Sequence, residues 1–242
     1  ISVGPPFYNK LIIPFLIPFL LMMAIGPKLK WIKSNLDDKL YLITFLIFSI
    51  LLSFLIVRNY ETKILINTIL IGSAFYLFLI TIRDFFKKKS ENIEQNVAHF
   101  GFSLFVLSIL LNNIFSSELI TNLKVGESFK NDKFEITFND LKKFDEKNYM
   151  SFKGYFSIRE NKIEDMLEPE LRIYNQPNII TSEADIKTTF FTDKFITMNS
   201  VKNEEYFNIR YQVKPFMLWI WISVLLISLG GLMSLFKRNH EN

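Results

Sequence analysis

The hydrophobic positions of this chain form long runs separated by charged clusters, so the chain alternates between an apolar and an aqueous environment. A helix that crosses a bilayer needs about 20 mostly apolar residues. The pattern therefore predicts an α-helical polytopic membrane protein, with a kink at Pro14 and Pro18 in the first helix. The five predicted transmembrane helices are residues 11–25, 40–57, 64–82, 97–115 and 215–236.

The segment between the fourth and fifth predicted helices, residues 116–214, has a different pattern. Apolar and polar residues alternate with a period of two at 134–138 and 207–213, and residues 190–198 are rich in Phe, Ile and Thr. Such patterns predict β-strands. We therefore predict an inserted all-β domain, either an antiparallel sandwich or a partly open barrel.

Basic residues beside the predicted helices indicate the orientation of the chain. Because basic residues accumulate on the cytoplasmic side, we expect the N-terminus and residues 116–214 outside and the tail, residues 237–242, in the cytoplasm. Ten basic residues lie at one set of helix ends, namely Lys28, Lys30, Lys33, Lys39, Arg83, Lys87, Lys88, Lys89, Lys237 and Arg238, against Lys10, Arg58 and Lys63 at the other.

Composition excludes several kinds of site. The sequence has no Cys, which rules out disulfides and thiolate metal sites within it, and residues 116–214 contain no His for a Ser-His-Asp triad. That segment is nearly neutral and lacks the basic stripe that nucleic acid would require. The sequence starts at Ile1 without the basic stretch of a signal peptide, so we expect a fragment or a trimmed chain.

The chain has two histidines, and one of them lies within a predicted transmembrane helix. His240 falls in the predicted tail, where we expect a solvated side chain. His99 lies at the start of the fourth helix, and Asn96, Phe102 and Ser103 flank it at offsets of three or four. An ionisable residue in a span is a functional candidate, and neutral imidazole ligates heme iron. The alternative is an interfacial or helix-packing residue.

Five stretches together resemble the C-terminal part of the CcmF family, in the family's order and across nearly the whole chain. His99 lies in one of them, at the start of a helix, as the family's histidine does. The stretches are Ile1–Asn9, followed by a helix ending in Ile25-Gly26-Pro27; Ala98–Gly101; Glu168–Tyr174; Thr181–Ile186; and Tyr211–Trp221, which leads into Leu229-Gly230-Gly231-Leu232.

The resemblance implies a part in system I cytochrome c maturation, at the bacterial inner membrane in preference to the mitochondrial inner membrane. Members of the family receive heme from the chaperone CcmE and, with CcmH, help to attach it to the thiols of apocytochrome c, which makes them heme lyase components. They also hold a b-type heme between two histidines. By resemblance, His99 is one axial ligand of that heme, and residues 116–214 form a periplasmic docking domain. We further hypothesise that the b-type heme keeps the delivered heme reduced.

Some parts of the family pattern are missing from this sequence. The tryptophan-rich WWD segment, its two flanking histidines and the second b-heme ligand belong to the family's N-terminal half. We therefore expect no ligation by this chain alone, and a requirement for that half in the same protein or in a split subunit. Arg172 and Lys214 are further candidates that would meet heme propionates, with Tyr174 and Trp219 as additional candidates; surface charge and interface anchoring are the alternative interpretations.

Two other functional classes fit the predicted layout. One is a non-catalytic scaffold of cytochrome c assembly, similar to the ResB family, which also places a large outer domain before a final helix. The other is an exporter permease, although such permeases commonly insert their outer domain after the first helix. A pyridine hemochrome spectrum of the purified complex would separate the permease from the heme-handling classes.

Overall fold

The computed structural model of the chain describes residues 4–29, 40–60, 63–86, 93–160, 163–201 and 205–241. These residues form two compact units. One unit comprises Ile1–Phe115 with Trp219–Asn242, and the other comprises Ser116–Leu218. Some of the lysines that carry the predicted orientation lie outside the described residues, namely Lys30, Lys33, Lys39 and Lys87–Lys89.

The first unit is helical, and five helices in its described residues are long and apolar enough to cross a membrane. The predicted polytopic membrane protein is therefore confirmed. The helices are α1 (Pro5–Ile25), α2 (Leu40–Val57), α3 (Ile64–Phe86), α4 (Ile93–Phe115) and α5 (Met217–Glu241), and a short 3-10 turn, Gly26–Lys28, follows α1.

The helices are longer than their apolar stretches. Helix α1 begins at Pro5 and passes through Pro14 and Pro18, and α4 begins four residues before the predicted start. Helix α5 continues to Glu241, so most of the predicted tail, residues 237–242, is helical. Hydropathy marks the part of a helix that suits lipid, whereas backbone hydrogen bonding continues into the polar boundary.

Helix α3 is the central element of the helical unit and packs against α1, α2 and α4. Its residues Ala74, Tyr76, Leu77 and Ile80 are buried with Leu20 of α1 in one apolar cluster. Apolar side chains gain little from each other in lipid, so close packing and hydrogen bonds hold such helices together. Helix α3 is therefore a closely packed neighbour of α4, the helix that contains His99.

The second unit is a sandwich of two antiparallel sheets. One sheet has the order β1-β10-β9-β8, and the other has the order β2-β3-β4-β6-β7, with β5 paired to β4. The strands are β1 (Ser117–Leu123), β2 (Ser128–Lys130), β3 (Glu135–Asp145), β4 (Tyr149–Glu160), β5 (Ile163–Leu167), β6 (Glu170–Tyr174), β7 (Ile179–Glu183), β8 (Asp185–Thr188), β9 (Thr192–Ser200) and β10 (Phe207–Pro215).

Alternate residues of the central strands fill the space between the sheets. The buried pairs are Ile136 and Phe138 on β3, Phe156 and Ile158 on β4, Ile196 and Met198 on β9, and Ile209 and Tyr211 on β10. This period of two is what the sequence showed at 134–138 and 207–213, and of the two predicted architectures the sandwich is the one observed. Residues 190–198 differ from the prediction, because β9 starts only at Thr192.

A charged group also links the two sheets. The Lys194 ammonium on β9 donates to Glu160 Oε2 at 2.7 Å and to Asp165 Oδ2 at 2.8 Å, and Tyr211 OH donates to Glu160 Oε1 at 3.0 Å. Glu160 and Asp165 belong to the sheet opposite Lys194. Asp165 is buried, and Lys194 and Glu160 are partly buried. Burial of a charged group is costly unless it is paired, and here the ammonium and the two carboxylates pair with each other.

Candidate functional site

His99 lies well inside helix α4, because the helix begins at Ile93. His99 is six positions after Ile93, which corresponds to about 9 Å along the helix axis. The imidazole is half-buried, and it makes no hydrogen bond to any residue in the described ranges. A polar ring nitrogen without a protein partner inside a membrane helix is available to a ligand.

The residues on either side of His99 form a close crossing with α5. A Cβ atom added to Gly230 would lie 2.6 Å from the backbone nitrogen of Ala98, and one added to Gly101 would lie 2.8 Å from the backbone nitrogen of Ile227. Small residues at such crossings let helix backbones approach closely. Since successive helix positions are rotated by about 100°, Ala98 and Gly101 take the face toward α5, and His99 is directed elsewhere.

The faces next to His99 contact α3 and α1. The Ser103 and Thr81 hydroxyls lie 3.3 Å apart, and the Phe100 ring stacks on Phe78 of α3. The Phe102 ring meets Phe19 of α1 edge to face, with centroids 5.8 Å apart. Two of the three flanking residues that the sequence singled out, Phe102 and Ser103, therefore make helix contacts, and His99 lies between the face toward α1 and the face toward α3.

An ion pair lies near His99 on the same two helices. Lys28, which follows α1, pairs with Asp84 at the end of α3. Among the described residues, these are the ionisable groups whose charges act on the imidazole. Carboxylates often orient a metal-bound histidine through its second ring nitrogen, and Asp84 is a carboxylate whose charge acts on this imidazole without a hydrogen bond between them.

This arrangement fits one axial ligand of a heme and not a complete metal site. Within the described residues the imidazole makes no hydrogen bond, and the crossing with α5 fixes the backbone on both sides of it. Within the described residues, no group of three or more His, Cys, Asp or Glu side chains could hold a metal ion. A second axial ligand would have to come from elsewhere.

Arg172 lies in a charged cleft of the sandwich, with a volume of about 230 Å³. Its Nε donates to Glu170 Oε2 at 2.9 Å, and this hydrogen bond holds the pKa of Arg172 above its usual range. Burial raises the pKa of Glu170, but the hydrogen bond and charge of Arg172, together with Lys153 and Ser151, outweigh burial and lower it. The cleft is lined by Lys153, Glu168, Glu170, Arg172, Glu183, Ala184 and Asp185.

The other two candidates on the sandwich do not line this cleft, although the Tyr174 side chain hydrogen-bonds with Arg172. Lys214 lies on β10, in the sheet that does not contain Arg172. It is paired with Asp193 of the adjacent strand β9 and interacts electrostatically with Glu118. Tyr174 ends β6, and its ring centroid lies 5.2 Å from that of Tyr149. The structure therefore does not assemble Arg172 and Lys214 into one propionate-binding pair within the sandwich.

Comparison with known proteins supports the resemblance seen in the sequence. Residues 114–215 match the family described as CcmF C-terminal beta-sandwich. All of this chain aligns at 26% identity with the cytochrome c-type biogenesis protein CcmF of Escherichia coli (strain K12), over 39% of that protein, and at 26% identity with CcmF of Haemophilus influenzae, over 40% of it. The resemblance to the CcmF family is confirmed.

A solved structure supports the same fold. The chain named Cytochrome c Heme Lyase CcmF matches 95% of this chain with a TM-score of 0.72 and 22% sequence identity, over 40% of its own length. The chain thus spans about two fifths of the length of the CcmF proteins that it matches. The matched part contains both the helical unit and the sandwich.

Sequence reasoning missed the charged cleft of this CcmF-like sandwich. The sequence gives no reason to single out Glu168, Glu170, Glu183 and Asp185 among its many carboxylates, whereas the fold brings all four around one concavity. The signal was present in the two CcmF-like stretches, Glu168–Tyr174 and Thr181–Ile186, which supply every lining residue except Lys153. Only the pairing of β6 with β7 places these stretches side by side.

Proposed function

We propose that this chain is a component of the system I cytochrome c heme-ligation machinery. In this proposal His99 is one axial ligand of a b-type heme in the membrane, and residues 116–214 form the docking domain on the periplasmic side of the bacterial inner membrane. The observation that carries the proposal is the imidazole of His99, which makes no hydrogen bond to the described residues and lies inside a membrane helix of a chain that resembles CcmF over its whole length.

The chain's own residues would position the ligand. The Ala98–Gly230 and Gly101–Ile227 contacts fix the helix backbone around His99, and Asp84, held by Lys28, would orient the imidazole. When bound, a b-type heme would supply one-electron transfer to the heme that is being delivered.

The proposed partners follow from the family. They are the heme chaperone CcmE, CcmH, apocytochrome c and the N-terminal half of the same protein or a split subunit, which would provide the second b-heme ligand. The charged cleft around Arg172 is the part of the sandwich that we propose for docking, because six of its lining residues are charged. Arg172 and Lys214 are secondary candidates for heme propionates, since Arg172 already pairs with Glu170.

The ligand assignment is tested by substitution of His99 in the complete assembly. We expect His99→Gly to abolish the reduced b-type absorbance band, because one iron ligand is lost, and we expect added imidazole to restore a six-coordinate spectrum. A residue that only supported packing would show no such rescue. The measurements are the reduced-minus-oxidised spectrum and the pyridine hemochrome of the purified complex.

His240→Gly is the matched control, because His240 is the one other histidine in the sequence. It should leave the band at full intensity. A band of full intensity in the His99→Gly protein without imidazole would show that the ligand lies elsewhere, and a colourless wild-type complex would contradict the proposal as a whole.

A further inference from the structure

The turn between β8 and β9 presents two adjacent phenylalanines to the outside of the sandwich. Phe190 is 55% exposed and Phe191 is 59% exposed, and their rings meet edge to face with centroids 4.9 Å apart. Two aromatic side chains this exposed in neighbouring positions form a small apolar surface, and contiguous apolar surface commonly marks an interaction site.

Hydrogen bonds hold this turn in one short conformation. The backbone N–H of Thr189 donates to the Thr192 carbonyl at 2.9 Å, and the N–H of Thr192 donates to the Thr189 hydroxyl at 3.1 Å. The Thr189 hydroxyl in turn donates to the Thr192 carbonyl at 2.7 Å. The two aromatic residues are therefore presented by a defined turn of the backbone.

The turn is tied to the point where the chain enters helix α5. The backbone N–H of Phe216 donates to the Phe191 carbonyl at 2.7 Å, and α5 begins at the next residue, Met217. Phe216 adopts a left-handed backbone conformation, with φ at 62°, which turns the chain from β10 into the helix. A non-glycine residue seldom adopts this conformation unless the surroundings hold it there.

The other connection to the membrane helices lies at the same edge of this sheet. Strand β1 begins two residues after the end of α4, and its first residue, Ser117, pairs with Val213 of β10. Pro215, two residues further along β10, pairs with Thr192 directly after the turn. The chain therefore enters and leaves the sandwich at the same end of this sheet, and that end also carries the turn.

We propose that Phe190 and Phe191 insert into the interfacial layer of the bilayer that α4 and α5 span, so that the turn is a membrane anchor of the sandwich. We assign lipid as the partner of this apolar surface because the Phe191 carbonyl is hydrogen-bonded to Phe216, which immediately precedes the spanning helix α5. Exposed aromatic side chains at that depth gain by leaving water for the boundary of the acyl chains. The anchor would add a third attachment to the two chain connections.

Spin labelling of the full chain in lipid nanodiscs tests the anchor. Because the chain has no Cys, the variant Phe191→Cys carries a unique label. The matched control is Ile180→Cys, since Ile180 is 57% exposed. It lies toward the far end of the sandwich, because Ser182, two residues further along β7, donates to the Met198 carbonyl, and Met198 is about 20 Å along β9 from Thr192.

We expect the label at position 191 to collide with oxygen severalfold more often than the label at 180, and to be protected from a water-soluble nickel complex. Accessibility to the nickel complex equal to that at position 180 would overturn the proposal. Protection from both reagents would also overturn it, because a protein segment and not lipid would then cover the turn.

A second variant guards against a perturbation by the label. Phe191→Trp keeps an aromatic ring, and its added fluorescence should be quenched in nanodiscs that contain brominated lipid, after subtraction of the native tryptophans. The corresponding Ile180→Trp signal should remain unquenched. Equal fluorescence of the added Trp at 191 with and without brominated lipid would contradict insertion.

Discussion

Asp193 is a buried carboxyl group with an unusual environment for its charge. The residue is 8% exposed, and its Oδ1 atom has no hydrogen-bond partner among the described residues. Burial raises the pKa of Asp193, and a hydrogen bond from Thr188 opposes that increase without cancelling it. The ionised form is therefore less stable in the folded protein than in the unfolded chain.

The consequence is a pH-dependent loss of stability that Asp193→Asn should remove. As pH rises from 3, the unfolded chain releases this proton at about pH 3.9, before the folded protein does, so unfolding becomes more favourable. We expect Asp193→Asn to raise the melting temperature of the sandwich at pH 7 and to have little effect at pH 3. The measurement is near-UV circular dichroism of the full chain in detergent.

Asp165→Asn is the matched control with the opposite sign. Burial raises the pKa of Asp165, but hydrogen bonds from Lys187 and Lys194 outweigh burial and lower it. That contribution to stability is present above the unfolded pKa and is lost as pH falls through the folded pKa, so Asp165→Asn should destabilise the sandwich at pH 7. A lower melting temperature of Asp193→Asn at pH 7 would contradict the assignment of Asp193.

These residues differ in how far the sequence could identify them. His99 could be found because an ionisable side chain interrupts a long apolar run, and a run is a local feature. Asp193 and Asp165 could not be ranked among the many carboxylates of the sandwich. The pKa shifts of the two carboxyl groups have opposite directions because their neighbours differ. Strand pairing between residues far apart in sequence decides which neighbours each group has.

At the scale of elements, the α4–α5 crossing fixes the helix that carries His99. Gly230 faces Ala98 so closely that any Cβ would overlap the α4 backbone, whereas a Cβ on the adjacent Gly231 would have no atom within 4 Å. The Lys237 ammonium also donates to Glu94 Oε1 at 2.8 Å, one helical turn from the crossing. Gly230 therefore permits the close approach of α4 and α5, whereas the adjacent Gly231 takes no part in that contact.

This difference predicts opposite results for two otherwise identical substitutions. Gly231→Ala should be neutral or stabilising by up to about 1 kcal/mol, the gain in helix propensity. Gly230→Ala should cost about 1–3 kcal/mol, the usual penalty for overpacking, and should weaken heme retention by moving α4. Thermal unfolding in detergent and the b-type absorbance band measure both effects. Equal behaviour of the two variants would show that the crossing is not close-packed.

The elements themselves were largely predictable, and the exceptions have a common cause. The period of two marked β3 and β10 because one face of each strand is buried. Phe190 and Phe191 looked like the start of a strand because Phe has high strand propensity, yet they occupy the turn before β9. Propensity cannot distinguish an aromatic residue that packs in a core from one that faces lipid.

At the scale of the whole molecule, hydropathy indicated the two kinds of environment but not the arrangement within each. The sheet order β1-β10-β9-β8 pairs the first and last strands of the sandwich, for example Ser117 with Val213. Pairing over such a separation leaves no local signal. The same pairing brings both membrane connections to one edge, which is the basis for the proposed anchor.

The number of histidines limits what this chain can do with heme when no other polypeptide is present. One imidazole in α4 can fill one axial position, and the other histidine of the sequence lies at the far end of α5. We therefore expect the 242-residue chain, expressed alone and supplied with heme in detergent, to give a five-coordinate spectrum.

Added imidazole should convert this spectrum to a six-coordinate, low-spin form, and His99→Ala should abolish that response. Co-expression with the polypeptide that supplies the second ligand should make added imidazole ineffective, because both axial positions are then filled. A low-spin spectrum of the chain alone would mean that it contains both ligands, and the division of the heme site between two parts of the protein would be wrong.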